Sequence, residues 1–414
     1  MHLSPADRPG VPSERGARRP HTAALLGSQL LFNVGFYAVV PFLAIVLAGD
    51  FGLGGAAVGL VLGVRTFTQQ GLFLLGGTLA DRFGARTIIL LGCGVRIAGF
   101  GCLAAALWTR PAALWLFVLG TVFTGLGGAL FSPGLNTLLA AAEARRRGGR
   151  ATLFAWLGVT GELGAIVGPV VGSALLGWGF EVVAASGALF FVAIAGFLWW
   201  ALPPDGGAPG ARARSKGSAR MPIWALRDRR MIGFASLHAV DLLAYNQLYL
   251  TLPLALRRVD GGVLVGAMFA WVSVLTLVLQ LPLARWSARV GPRVALGSGY
   301  ATSATGFALL VGAGLAGPEQ SLHAVAGTVT LLTVGHLLAN PTALSLMPVF
   351  AEGRPTGSYY GLLATCGGTM VLLGNLVAGG LFGPDQQPSV WTWTFLAALP
   401  VVSALWVPRL LPRD

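Results

Sequence analysis

The sequence predicts an all-α integral membrane protein: twelve transmembrane helices in two pseudo-symmetric six-helix bundles. Three observations predict it. The 414 residues are 55% hydrophobic and only 10% charged, whereas soluble domains carry about a quarter charged residues. Apolar runs long enough to cross a bilayer recur along the whole chain. A polar bridge of ten residues, Gly77 to Arg86, returns about 207 positions later as Ala284 to Arg293.

A hydrocarbon core about 30 Å thick needs about 20 helical residues per crossing. Runs meeting this requirement lie near 23–47, 57–80, 87–108, 112–139, 152–176 and 182–202, giving spans 1 to 6. Six more lie near 231–256, 262–283, 294–316, 322–346, 358–382 and 390–408, giving spans 7 to 12. The alternating polarity of a lipid-facing barrel is absent, so helices must satisfy the backbone hydrogen bonds within the membrane. The chain divides into a tail (1–22), a first bundle (23–202), a linker (203–230), a second bundle (231–408) and a short tail (409–414). The linker is marked by Pro203, Pro204, Gly206, Gly207, Pro209 and Gly210, followed by basic residues and Pro222.

The net charge of +13 falls in every second connection: Arg15 to Arg19, Arg82 and Arg86, Arg145 to Arg150, Arg212 to Arg230, and Arg285 to Arg293. By the positive-inside rule, these loops and both termini are expected on the cytoplasmic side of the cell (inner) membrane. Basic residues divided among loops, without interleaved aromatics, disfavour nucleic acid as a partner. The first twenty residues are polar and proline-rich, so span 1 itself is expected to target the chain rather than a cleaved signal. Cys93, Cys102 and Cys366 fall inside spans without metal or disulfide spacing.

In the repeated bridge, Arg289, Gly291 and Arg293 stand opposite Arg82, Gly84 and Arg86, but Ala288 replaces Asp81. Gly127 to Pro133 in span 4 is echoed by Gly335 to Pro341 in span 10, and Pro41 in span 1 by Pro253 in span 7. Parallel repeats with a binding site at their interface are the design of secondary transporters. The twelve spans and the bridge, with Gly77, Leu79, Ala80, Asp81, Arg82, Gly84 and Arg86 in place, resemble the major facilitator superfamily over nearly the whole chain. Ala85 is the one departure from its loop pattern. The resemblance implies that Gly77, Asp81, Arg82, Gly84 and Arg86 form a conformational latch at the cytoplasmic ends. A simple helix stop at the membrane surface is the competing role.

Span 5 carries Gly164, Gly168, Pro169 and Gly172, with small residues at four-residue spacing and a proline that bends the helix. It resembles the antiporter motif of proton-coupled multidrug efflux members, with Ser173 in place of the final glycine, and ordinary helix packing also fits it. Two further departures stand against that branch: Thr121 occupies the place of a span 4 arginine, and Tyr37 is the only ionisable group between Thr22 and Leu47.

Intramembrane ionisable groups are costly and mark functional candidates. Here they include Arg65, Arg96, Glu162, His238, Asp241 and His336. Glu162 and Asp241 each lie about ten residues inside a helix entering from the cytoplasm, hence roughly 15 Å deep. Both suit proton coupling, with Arg65, Arg96 and His238 as further candidates. Alternatively, Glu162 forms a fixed bridge to Arg65 or Arg96, and Asp241 bonds to His238 one turn earlier. Candidates for a substrate cavity are Asn33 and Tyr37 in span 1, Phe131 and Asn136 in span 4, and Trp156 in span 5. Spans 7, 8 and 11 add Tyr245, Gln247, Tyr249, Trp271, Tyr360 and Asn375. Aromatic and amide groups with few fixed charges suit a drug-like or natural-product ligand.

The leading expectation is therefore a proton-coupled exporter of hydrophobic or amphipathic molecules, monomeric in the lipid. A nutrient uptake facilitator and a non-transporting sensor or scaffold are the alternatives. No nucleophile constellation, metal cluster, cofactor motif or nucleotide-binding loop points to an enzyme or to ATP drive.

Overall fold

The computed structural model describes residues 22–109, 111–144, 153–202, 227–314, 318–352 and 357–411. Among these the regular structure is helical throughout. The expected tail up to residue 21, linker residues 203–226, the Arg145 to Arg150 cluster and residues 412–414 lie outside the described residues.

Span 1 is built from α1 (Thr22–Val39), a 3-10 turn at Val40–Phe42 and α2 (Leu43–Gly49). Pro41 sits in that turn, where its missing N–H interrupts the α-helical ladder. Span 2 is α3 (Gly55–Gly71) and α4 (Phe73–Phe83), divided at Leu72. Spans 3 to 6 are α5 (Ala85–Trp108), α6 (Leu114–Ala144), α7 (Leu153–Leu176) and α8 (Phe180–Ala201). The second half comprises α9 (Arg229–Asn246), α10 (Thr251–Val290), α11 (Pro292–Gly314) and α12 (Pro318–Ser345). A short α13 (Met347–Ala351), α14 (Gly357–Gly380) and α15 (Val390–Leu410) complete it.

The apolar pattern predicts a loop between spans 7 and 8 at 257–261, but α10 runs through that stretch. The break falls earlier, at Gln247–Leu250. Pro253 explains the position: it cannot bond back to the carbonyl four residues before it but is tolerated in a first turn, so the helix restarts at Thr251. This interruption mirrors the one at Pro41 in span 1. Ten helical stretches among the described residues are long and apolar enough to cross a membrane. The two expected spans outside that set are span 2, split into pieces of 17 and 11 residues, and span 7, whose α9 carries His238, Asp241 and Asn246.

The duplication is visible in the backbone. Gly84 and Gly291 join successive helices at φ values of 96° and 80°, a conformation glycine adopts without penalty. The α5–α6 and α11–α12 crossings repeat as well. A methyl group on Gly127 would lie 2.8 Å from the Gly92 carbonyl oxygen, and one on Gly335 2.7 Å from that of Gly299. Exposed tryptophans form two belts. Trp108, Trp115, Trp178 and Trp391 ring one end, and Trp199, Trp200, Trp286 and Trp406 ring the arginine-rich end, as amphipathic rings do at the two membrane surfaces.

The halves meet where α3 crosses α14 and α7 crosses α10. Gly55, Gly59 and Gly63 lie on one face of α3, and a methyl on Gly63 would reach within 2.8 Å of the Leu372 Cα. A methyl on Gly266 of α10 would lie 2.7 Å from Ser173 Oγ, and the Gly55 N–H donates to Gln386 Oε1 over 2.9 Å. These contacts sit toward the end opposite the arginine-rich loops. Asp50 lies there too; burial and the neighbouring Glu181 push its carboxyl up from the usual range, against the opposing pull of Arg257. Toward the arginine-rich end the packing thins. No residue of α10 from Leu277 to Val290 is buried, and a methyl on Gly158 of α7 would meet nothing within 4 Å.

Candidate functional site

Two polar groupings occupy the middle of the bundle. In the C-terminal half, α9 and α12 bring Asp241 and His336 together, with His336 Nδ1 2.8 Å from Asp241 Oδ2. The Asp241 side chain is 3% exposed, so this contact supplies the partner that a buried carboxylate requires. Tyr245 stacks on the His336 ring with centroids 4.1 Å apart. His238 does not bond Asp241. Its Nδ1 pairs with the Tyr300 hydroxyl at 2.8 Å, and its ring stacks on Phe234. The helix-face neighbour one turn away thus loses to a residue from another helix.

Glu162 projects from α7 toward the other half, within hydrogen-bonding reach of Ser273 on α10 and close enough to His336 to act on its charge. It forms no bridge to Arg65 or Arg96: among the described residues neither arginine has a carboxylate within ion-pairing distance. Arg65 Nη2 instead donates to Gln69 Oε1 over 2.6 Å, and its guanidinium lies over Phe36 and Tyr249. Arg96, fully buried, lies among the rings of Phe32, Phe36 and Phe191. Tyr37 and Tyr249 share a hydrogen bond between the halves, and both rings approach Phe269.

An amide chain lies beside this centre. Gln247 Nε2 donates to Asn375 Oδ1, and Asn375 Nδ2 donates to Asn246 Oδ1, each over 3.0 Å. Asn246 Nδ2 then donates to Thr66 Oγ1 on α3 over 3.3 Å, linking the halves. Gln247 and Asn375 are therefore committed to each other and fully buried, which makes them part of the joint between the halves.

Other cavity candidates fall elsewhere. Phe131 is fully buried and stacked on Phe32 at 3.8 Å, which places it in the first bundle's core. Trp271 donates to Thr330 and lines an apolar groove of about 180 Å³ between α10 and α12. Tyr360 donates to the Leu344 carbonyl near the arginine-rich end. Trp156 is half exposed and Asn136 half-buried, both toward that same end. Asn33 is tied to the Gly161 carbonyl at 2.9 Å. The motif glycines of α7 serve the same crossing: a methyl on Gly164 would lie 2.7 Å from Asn33 Cβ, and one on Gly168 2.7 Å from Tyr37 Cβ. They let α7 sit on α1, while the Pro169 carbonyl faces Gly266 of α10.

At the bridge, Gly77 lies within α4 and Gly84 alone forms the turn from α4 to α5, Arg82 is exposed beside Phe83, and Arg86 Nη2 donates to the Trp199 carbonyl over 2.6 Å. The Asp81 side chain lies outside the described residues. No group of three or more potential metal ligands occurs among the described residues. Sequence reasoning set aside His336 and did not single out Ser273, Thr66, Asn246 or Phe269. For His336 a signal existed: the repeat aligns it with Gly128, which puts an ionisable group where the other half keeps a glycine.

Two like bundles around a polar, titratable centre, joined along two helix crossings, define a membrane transporter rather than an enzyme. The Major Facilitator Superfamily profile matches residues 25–375. The multidrug resistance protein MdtH of Cronobacter sakazakii is 35% identical over 342 residues, covering 81% of this chain and 80% of its own. An uncharacterised MFS-type transporter of Mycobacterium tuberculosis is 32% identical over 406 residues, covering 94% and 93%. Among solved structures, a POT family transporter in complex with 5-aminolevulinic acid superposes with a TM-score of 0.76 at 15% identity, over 94% of this chain and 96% of that one. The chain belongs to the Major Facilitator Superfamily.

Proposed function

We propose that this transporter exports hydrophobic or amphipathic small molecules by alternating access, in exchange for protons. Its arginine-rich face is cytoplasmic in the inner membrane, and it works as a monomer. The observation that carries the proposal is that Glu162 of one half reaches Ser273 and His336 of the other, where His336 also pairs with Asp241. A carboxylate held between two such halves gains or loses its proton as water reaches it or is excluded. The multidrug-resistance naming of the MdtH relatives supports export of drug-like molecules.

With the arginine-rich loops cytoplasmic, the packing corresponds to a state open to the cytoplasm, ready to load substrate. Tyr37, Tyr245, Tyr249 and Phe269 offer aromatic faces to an apolar ligand. Proton entry from the outside then neutralises the acids, and closure toward the cytoplasm carries the ligand across. In this cycle the Asp81 loop latches the cytoplasmic ends, so Asp81→Asn slows exchange between states without abolishing binding; unchanged turnover removes the latch.

The test is accumulation of lipophilic dyes in inverted vesicles with and without a proton gradient, repeated with Glu162→Gln and Asp241→Asn. The expected result is gradient-dependent accumulation lost in Glu162→Gln and weakened in Asp241→Asn, while dye still binds both. Wild-type accumulation in both variants overturns the assigned coupling.

A further inference from the structure

We propose that the N-terminal bundle holds a subsite for a monoanionic group, either a ligand's carboxylate or a halide ion, built on Arg65 and Arg96. Its ligands are then amphipathic acids or zwitterions rather than simple lipophilic cations; that extension to transported ligands rests on the exporter reading above.

Arg96 is fully buried, and its Nε, Nη1 and Nη2 all lack a hydrogen-bond partner. The rings of Phe32, Phe36 and Phe191 lie 4.1, 4.7 and 5.5 Å from its guanidinium carbon. Cation–π attraction of this kind offsets only part of the desolvation cost of a buried ion, and it leaves every N–H donor unused. Arg65 is likewise buried, its Nε unpartnered, its one hydrogen bond to neutral Gln69. The two cations share a locale. A methyl on Gly128 would lie 2.8 Å from Arg96 Nη2 and 3.3 Å from the Gln69 Cδ. Among the described residues no carboxylate balances them, although buried charges are ordinarily paired.

The internal repeat shows that packing does not demand this cation. At the matching α11–α12 crossing, Ser303 stands in the place of Arg96, and its hydroxyl donates to the Gly299 carbonyl. One half closes the crossing with a small neutral residue, while the other places a five-donor cation there without a partner. Arg65 also reaches the joint between the halves, with Tyr249 beside it. Glu162 and Asp241 stand elsewhere around the same centre, which therefore has a cationic side and an acidic side. An anionic group entering against Arg65 and Arg96 finds unused guanidinium donors, with the Phe36 and Tyr249 rings beside it for an apolar body.

The test uses the full chain in lipid nanodiscs and calorimetric binding of three isosteric probes: 1-naphthoate, 1-naphthylmethanol and 1-naphthylmethylamine. Titrations run in chloride and in gluconate buffer. Naphthoate is expected to bind about tenfold or more tighter than the alcohol, with the preference lost in Arg65→Gln and in Arg96→Met. Competition by chloride in wild type, lost in the same variants, identifies a halide as a native occupant; absence of competition assigns the subsite to the ligand carboxylate. Equal binding of all three probes, with no chloride effect, overturns the subsite. So does an Arg96→Met protein with a raised melting temperature and an unchanged probe ranking, because the arginine is then only a buried charge whose removal stabilises the fold. Arg65→Gln, at the joint, keeps the test readable if Arg96→Met does not fold. Gradient-driven dye transport without anion preference sinks the subsite and spares the exporter reading, and anion preference without gradient-driven transport does the reverse.

Discussion

Gly59→Ala tests whether the α3–α14 contact holds one conformational state. A methyl group there would lie 2.8 Å from the Asn375 carbonyl carbon and nearer still to its oxygen. Both are backbone atoms, which cannot swing aside as a side-chain tip can, so the two helices must part. Overpacking of this kind costs about 1–3 kcal/mol, and the cost falls on the state in which α3 and α14 touch at the end opposite the arginine loops. A state open at that end escapes it, so the equilibrium moves toward that state by about 5- to 150-fold. Gly94→Ala is the control, because a methyl there meets nothing within 4 Å. Spin-label pairs at Phe83 with Trp286 and at Trp178 with Trp391, in a background lacking Cys93, Cys102 and Cys366, report the two ends by pulsed electron resonance. Gly59→Ala should shorten the Phe83–Trp286 distance and lengthen the other, while Gly94→Ala changes neither. Unchanged distances in Gly59→Ala refute the claim that this contact selects the state.

His336→Asn removes the imidazole that bonds the buried Asp241 carboxyl group, a change that costs about 1–3 kcal/mol. Its melting temperature should fall by several degrees and recover in the Asp241→Asn/His336→Asn double variant; no fall would mean that the pair is not formed in the membrane. His238→Phe keeps the stack on Phe234 but orphans the buried Tyr300 hydroxyl, at about 1–3 kcal/mol. Adding Tyr300→Phe should restore stability, and gradient-driven transport should persist throughout. Lost coupling with intact stability would return His238 to the proton path.

The spans were legible because crossing a bilayer demands length and apolarity, which composition records directly. Where a helix breaks within a span was less legible. At Leu72 and at Gln247–Leu250 only isolated polar pairs, Gln69–Gln70 and Asn246–Gln247, stand beside the break within otherwise apolar spans, and such pairs also occur in unbroken membrane helices. The intramembrane charges were legible as candidates because of their cost, but their partners were not. Asp241 bonds a residue 95 positions away in preference to His238 three positions away, since distance in the fold is set by how α9 packs on α12. Aromatic residues misled for a related reason. In a chain apolar on all sides, sequence cannot tell a ring facing a cavity from one in a core, as Phe131 is, or one on an outer groove, as Trp271 is.

The geometry also ranks the two acids. In the proposed alternating-access cycle, rocking of the halves leaves distances within each half nearly fixed and changes those between them. Asp241 and His336 both belong to the second half, so their pairing survives the motion, and the carboxyl group keeps its imidazole partner in either state. Glu162 belongs to the first half and Ser273 and His336 to the second, so its surroundings are exchanged in each cycle. A group whose environment changes with conformation couples protonation to motion; one whose environment persists contributes chiefly stability. Glu162→Gln should therefore abolish the response of transport to a proton gradient with little loss of melting temperature. Asp241→Asn should cost more stability while retaining part of that response. Transport and thermal unfolding measured on both variants in the same lipid decide it, and the opposite ranking would place the coupling proton on Asp241.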